Sequence, residues 1–123
     1  MSKIEKNHNK EIGKMGEEEA TKYLEKLGYT ILIKNYRTPY GEIDIIAKNE
    51  NEYVFVEVKT RTSKKYGIPA EAVNKVKKQH IIRSSQYFIY KNRLNTESVR
   101  FDVIEVYFLK KNKLVNHIKN AFI

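Results

Sequence analysis

Two neighbouring segments, residues 42–48 and 53–60, constrain the fold most, because their side chains alternate in character and only residues 49–52 separate them. Alternation with a period of two is typical of β-strands, and the Asn-Glu-Asn-Glu sequence between the segments favours a short turn. We therefore predict a β-hairpin centred between Glu50 and Asn51. This register pairs residues 48 with 53, 46 with 55, 44 with 57 and 42 with 59.

The two faces of this hairpin differ in chemistry. One face is apolar throughout and should be buried; it consists of Ile43, Ile45, Ala47, Val54, Val56 and Val58. The other is aromatic and aliphatic near the turn but ionisable at the far end; it consists of Glu42, Asp44, Ile46, Tyr53, Phe55, Glu57 and Lys59. We expect the ionisable groups to lie at the mouth of a partly apolar surface.

The opposed acids Asp44 and Glu57 carry the chemical interest of this hairpin. Opposed Cβ atoms lie roughly 5 Å apart, where two negative charges repel by about 3 kcal/mol at an effective dielectric of about 20. Lys59 would offset part of this repulsion. Mg²⁺ or Mn²⁺ bound by both acids and the Val58 carbonyl would offset more, because hard cations prefer oxygen ligands. A solvated face with an ordinary Glu42–Lys59 ion pair fits the same spacing, so both interpretations remain open.

The remaining elements follow from periodicity and from turn residues. Apolar spacings of three and four predict helices over residues 10–27 and from residue 70 to about 91, after a polar, flexible start at residues 1–9. Residues 29–35, 98–109 and 113–118 are predicted strands. The order αβββαββ predicts one α/β domain over residues 1–123, with a mixed sheet.

The composition narrows the classes of partner. Lys and Arg number 24 against 15 Asp and Glu, giving a net charge of +9, which favours a polyanionic partner such as nucleic acid but also fits a protein kept soluble by lysines. The chain contains no Cys, which excludes disulfides and thiolate metal sites. No apolar run approaches the ~20 residues of a membrane span, and the polar N-terminal residues contain no apolar stretch of the kind expected in a signal peptide. We expect a cytoplasmic protein without a membrane partner.

The segments GEIDII at residues 41–46 and VFVEVKTR at residues 54–61 resemble the YraN-like family of small bacterial proteins within the PD-(D/E)xK nuclease superfamily. Gly16-Glu17 in the first helix and Arg100-Phe-Asp102 also fit that family, and the resemblance spans about residues 13–105. It implies a restriction-endonuclease-like αβββαβ core, with a mixed central sheet flanked by helices. An extra C-terminal strand would follow that core.

The resemblance also implies a function. Asp44 and Glu57 match the metal-binding acids, Lys59 matches the catalytic lysine, and Glu17 matches an N-terminal helix acid that can complete the site. It implies a Mg²⁺- or Mn²⁺-dependent endonuclease that hydrolyses DNA phosphodiester bonds, with branched or repair-intermediate DNA as the expected substrate. The alternatives are a catalytically silent nucleic-acid-binding protein and an interaction module of a DNA-processing complex. Glu17 has its own alternative as an acid that interacts favourably with the helix dipole.

Several cations are expected near the mouth of the site, where they would contact DNA phosphates. They are Arg37, Arg61, Lys64, Lys65 and Lys77. Each taken alone also fits a solvated surface cation. His80 falls on the apolar side of the second helix and is interpreted as a core or interface residue. The apolar end of the chain, Ala121-Phe-Ile123, is expected to pack on its own domain or to contribute to a homodimer.

Overall fold

The structure is a computed structural model that describes residues 2–62, 74–95 and 98–122. Its elements are, in chain order, α1 (Lys3–Lys26), β1 (Thr30–Thr38), β2 (Gly41–Asn49), β3 (Glu52–Arg61), α2 (Lys75–Lys91), β4 (Val99–Phe108) and β5 (Lys113–Ile118). The predicted order αβββαββ is confirmed. The helix predicted to begin at about Lys10 begins at Lys3 instead, because residues 3–9 contain no Gly or Pro that would stop it.

The five strands form one mixed sheet in the order β1-β2-β3-β4-β5. Strands β3 and β4 are parallel, and the other neighbouring pairs are antiparallel. A parallel pair requires a crossover connection, and the chain between β3 and β4 contains α2. This is the predicted α/β architecture, in which β5 extends a restriction-endonuclease-like core.

The predicted hairpin register is confirmed for the residue pairs next to the turn. Ile46 lies opposite Phe55, and Lys48 lies opposite Tyr53. The β2–β3 pairs end at Ile45–Val56. Beyond them the Val58 N–H donates a hydrogen bond of 2.8 Å to Oδ2 of Asp44, so that a carboxylate joins the two strands next to the last ladder pair.

Each helix covers one face of the sheet. On the α1 face, Ala20 and Leu24 pack against the valines at positions 54, 56 and 58. On the α2 face, Phe88 packs with Ile46 and Phe55. Neither of the two helices described is long and apolar enough to cross a membrane.

Ile43 departs from the predicted division of the hairpin faces. It packs with Ile46, Phe55 and Phe88 on the α2 face rather than with Ile45. The pairs of β2 with β1 pass from Lys34–Ile45 to Tyr36–Ile43, and the intervening Asn35 has a left-handed φ of 55°. Strict alternation assumes a regularly extended strand, and this irregular edge interrupts it.

Close packing of α1 on β3 depends on Gly16. A Cβ at this buried position would lie 3.0 Å from Cβ of Thr60 and closer still to the Thr60 hydroxyl oxygen. Gly16→Ala is therefore expected to lower the free energy of unfolding by about 1–3 kcal/mol, as overpacking does. Urea denaturation measures the change.

Gly13→Ala is the matched control in the same helix. Apart from its chain neighbours and the adjacent backbone of α1, no atom of the described residues lies within 4 Å of a Cβ added at Gly13. Because Ala favours a helix over Gly by about 1 kcal/mol, this variant should be stabilised by up to that amount. Equal changes in the two variants would contradict the packing of α1 against Thr60.

Candidate active site

Strands β2 and β3 and the start of α2 enclose a depression of about 400 Å³ on the α2 face of the sheet. Asp44 and Glu57 line it from the strands, and Asn74 and Lys77 line it from the helix. The helix begins here because the Asn74 side chain accepts a hydrogen bond of 2.9 Å from the Lys77 N–H and caps the first turn. The cap therefore positions the helix start above the two acids.

The two acids interact strongly with each other. Burial raises the pKa of Asp44 to about 8, and the neighbouring Glu57 carboxylate adds to the rise, while the Val58 N–H opposes it. The Glu57 side chain is only 5% exposed. The Asp44 carboxyl group therefore needs a compensating cation to ionise fully at neutral pH.

Two lysines converge on Glu57. The Lys59 Nζ lies 3.5 Å and the Lys77 Nζ 2.5 Å from the same oxygen, Oε1. Burial lowers the pKa of Lys59, and the neighbouring Lys77 ammonium lowers it further. Burial alone would lower the pKa of Lys77, but its hydrogen bond to Glu57 raises it. Lys77, predicted only as a phosphate contact, therefore lies within the acid cluster itself.

Glu17 approaches the acids from α1. Burial raises its pKa, the hydrogen bond to the Asn35 side chain lowers it in part, and the Glu42 and Glu57 carboxylates raise it further. The Glu17 charge in turn contributes to the raised pKa of Asp44. The structure thus places Glu17 within electrostatic reach of both predicted metal ligands.

The other predicted cations lie apart from the acids or outside the described residues. Arg37 is on the rim, 84% exposed, with its Nε 3.7 Å from Oε2 of Glu42. Arg61 faces the fully buried Glu105, at 3.7 Å from its Oε2. Lys64 and Lys65 lie outside the described residues. Arg37 is thus the only predicted phosphate contact besides Lys77 that the described chain places beside a residue of the depression.

The donor set resembles that of a magnesium site completed by its substrate. The described residues contain no group of three or more His, Cys, Asp or Glu residues arranged to hold a metal. Mg²⁺ usually keeps several waters and binds one or two carboxylates together with substrate phosphates. The paired, largely buried acids Asp44 and Glu57 fit that requirement. The Val58 carbonyl remains a predicted third ligand.

His80 is the residue of the site that sequence reasoning misplaced. The expectation of a core position is wrong, because His80 is exposed and lines the depression. The alternative of an interface position stays a prediction. Helix α2 buries Ile81, Ser84, Ser85 and Phe88, a phase that turns position 80 outward. If the buried side of the helix had been assigned from those four residues alone, leaving out Val76 and His80, position 80 would have been predicted on the outer side of α2.

Comparison with known proteins identifies the family. The model of a family described as "Uncharacterised protein family UPF0102" matches residues 16–106. A UPF0102 protein of Clostridioides difficile (strain 630) is 54% identical over 115 residues, covering 94% of this chain and 99% of that protein. One of Caldicellulosiruptor saccharolyticus is 48% identical over 117 residues, covering 94% and 99%. One of Caldanaerobacter subterraneus subsp. tengcongensis is 48% identical over 123 residues, covering 97% and 100%. The family match includes α1 from Gly16, both motif strands and β4 as far as Val106, so the resemblance to YraN-like proteins is confirmed and the chain belongs to the UPF0102 family.

Proposed function

We propose that this protein is a cytoplasmic, divalent-metal-dependent endonuclease that hydrolyses phosphodiester bonds in branched or repair-intermediate DNA. The observation that supports this proposal most is the acid pair of half-buried Asp44 and buried Glu57 with Lys59 beside it. Perturbed ionisable groups that converge in a depression are typical of catalytic sites. The UPF0102 relatives align with this chain over nearly its full length.

Asp44 and Glu57 would hold Mg²⁺ or Mn²⁺, with Glu17 adding negative charge from α1. Such an ion, when bound, stabilises charge on a phosphoryl oxygen and acidifies water. The Val58 N–H fixes the Asp44 carboxylate by its hydrogen bond of 2.8 Å, so one ligand is positioned before any ion arrives. This preorganisation removes part of the cost of ordering the ligand.

Lys59 would orient the attacking water and stabilise charge on the scissile phosphate. Its lowered pKa keeps its proton more readily transferable than that of a solvated lysine. Lys77 would compensate the acids when no ion is present and contact the phosphate when one is, because its ammonium already lies beside Glu57. Arg37 would contact the DNA backbone at the rim.

The charge of α2 supports a polyanion such as DNA as the partner of this site. The sequence of α2, KVKKQHIIRSSQYFIYK, contains five Lys or Arg residues and no Asp or Glu, and this helix forms one wall of the depression. Phosphate contacts from such a surface release condensed counterions and provide affinity that does not depend on sequence.

A catalytically silent DNA-binding module is the second candidate. It is favoured by one observation: Lys77 lies 2.5 Å from Glu57 and already compensates one acid without a metal. In that case DNA binding would fall with salt and ignore divalent ions.

Cleavage of labelled linear, flapped and four-way DNA with Mg²⁺, Mn²⁺ or EDTA tests the proposal. We expect cutting only with the divalent ions, and Lys59→Met should slow it by about 10²- to 10³-fold, as loss of one transition-state donor does. Lys48→Met is the matched control, because Lys48 lies on the same hairpin but over the Tyr53 ring.

Metal binding provides a readout that is independent of cleavage. In a Mn²⁺ titration, Glu57→Gln should lose binding, while Lys77→Met should bind Mn²⁺ at least as tightly as the wild type because a competing cation is gone. DNA binding without cutting under any condition, combined with no Mn²⁺ binding, would establish the silent module.

A further inference from the structure

The outer side of α2 carries a run of exposed aromatic and basic residues beyond the acid cluster. Together with Tyr40 from the turn between β1 and β2, these residues line one depression, which we call the tyrosine face. It consists of Tyr40, Arg83, Gln86, Tyr87 and Tyr90. Tyr40 is 45% exposed and Tyr90 is 82% exposed. Large rings held this far out of the core indicate a surface that meets a partner.

The tyrosine face is continuous with the candidate active site. A middle depression shares Val76 and His80 with the acid site and shares Tyr40 and Arg83 with the tyrosine face. The three depressions follow α2 from residue 76 to residue 90, a distance of roughly 20 Å at the rise of an α-helix. A single extended ligand can therefore run from the acids to Tyr90.

The chemistry of this track fits unpaired nucleotides. The Arg83 guanidinium lies over the Tyr40 ring at 6.0 Å, and the Lys91 ammonium lies over the Tyr87 ring at 5.6 Å. Aromatic rings that alternate with cations are what single-stranded nucleic acid requires, because bases stack on the rings while the cations contact phosphates. Among the described residues, the lining of the middle and outer depressions includes no acid, so no described carboxylate there repels a phosphate backbone.

We propose that the tyrosine face binds a single-stranded DNA segment and leads it to the acid site, so that the substrate carries unpaired nucleotides beside the bond to be cut. This inference rests on the proposed function for its final step but not for the binding itself. In a duplex the bases are already stacked on one another and offer no face to Tyr40 or Tyr90. The preferred substrates are therefore flapped or gapped DNA rather than fully paired DNA.

Fluorescence anisotropy with a labelled oligothymidylate and with a duplex of equal length, in EDTA and at fixed salt, tests the binding step. Tyr40→Ser with Tyr90→Ser should weaken single-strand binding by about ten-fold or more, since each stacked base contributes substantially. Duplex binding should change less than two-fold. Tyr40→Phe with Tyr90→Phe keeps both rings and should retain single-strand binding.

Charge is tested by a matched pair of variants. Arg83→Gln should weaken single-strand binding and reduce its salt dependence, whereas Lys22→Gln, at a 73% exposed position on α1, should do neither. Equal losses for single strand and duplex, or no loss in the Ser variant, would overturn the inference. A change in oligomeric state on ultracentrifugation without a change in DNA affinity would also overturn it and would assign the face to protein contacts.

The two proposals can fail separately. Single-strand binding that depends on the tyrosines but is never followed by cutting would support the inference and contradict the nuclease. Cutting of fully paired DNA at the same rate as flapped DNA, unaffected by the Ser variant, would support the nuclease and overturn the inference.

Discussion

Asp44→Asn is expected to slow metal-dependent DNA cleavage by about 10³-fold, since a metal ligand is lost, and at the same time to stabilise the metal-free protein. Asn keeps an oxygen that can accept the Val58 N–H but has no charge. The free-energy cost of holding the Asp44 carboxylate beside Glu57 is therefore removed in the variant, and the metal site is lost with it. Opposite changes in activity and stability are typical of functional residues.

The stability change should depend on pH in a specified direction. The pKa of Asp44 is raised from 3.8 to about 8, so between these values the folded state binds more protons than the unfolded state. The free energy of unfolding of the wild type should then fall as the pH rises from about 4 to about 8, by an amount on the order of a few kcal/mol. Asp44→Asn should lack this part of the decrease.

Urea denaturation of both proteins in EDTA at about pH 5 and about pH 8 measures this difference. Added Mg²⁺ should stabilise the wild type by mass action and leave Asp44→Asn unchanged. If the variant were less stable than the wild type at both pH values, the acid pair would be a stabilising structural element rather than a cation site. The pH range of this effect is different from the range in which Asp102 affects stability, because the pKa of Asp102 is lowered rather than raised.

The sequence predicts those parts of the fold that depend on local pattern. The hairpin register follows from alternation and a short turn, and Asp44, Glu57 and Lys59 follow from that register together with the family motif. These residues are close in sequence, so regular strand geometry suffices to bring them together.

Lys77 and His80 could not be placed from the sequence, because their positions depend on how α2 packs on the sheet. The phase of α2 is fixed by Ile81 and Phe88, and a rotation by one residue, about 100° in a helix, exchanges His80 for Ile81 on the buried side. The tyrosine face depends on the same phase. The contact between Lys77 and Glu57 joins β3 to the helix of the crossover that follows it, which no local rule predicts.

The protein also contains a second buried charge cluster, and its pairing differs from that of the acid site. Asp102 is fully buried and accepts hydrogen bonds from Arg100 Nε at 2.9 Å and from Asn120 N at 3.2 Å, and its Oδ2 lies 2.7 Å from His117 Nε2. Arg100 also donates to Glu52 and Tyr29. Burial alone would raise the pKa of Asp102, but the hydrogen bonds of His117 and Arg100 lower it. These charges are compensated within the protein, whereas Asp44 keeps a raised pKa, and this contrast supports a structural role for one cluster and a functional role for the other.

Asp102→Asn is accordingly expected to lower the free energy of unfolding by about 3–5 kcal/mol, because it removes the buried counter-charge of Arg100 and leaves only the partly exposed Glu52 to compensate the guanidinium. Of a total that is typically 5–15 kcal/mol, this is a large fraction. Combining it with Arg100→Met should recover part of the loss, since the buried guanidinium is removed as well and only the partly exposed Glu52 loses a partner. Glu19→Gln is the control: it breaks the exposed Glu19–Lys113 pair of 3.1 Å and should cost less than about 1 kcal/mol. Chemical denaturation of the four proteins at neutral pH decides the matter. If the double variant is no more stable than Asp102→Asn, the loss comes from packing around residue 102 and not from the weaker compensation of the Arg100 charge.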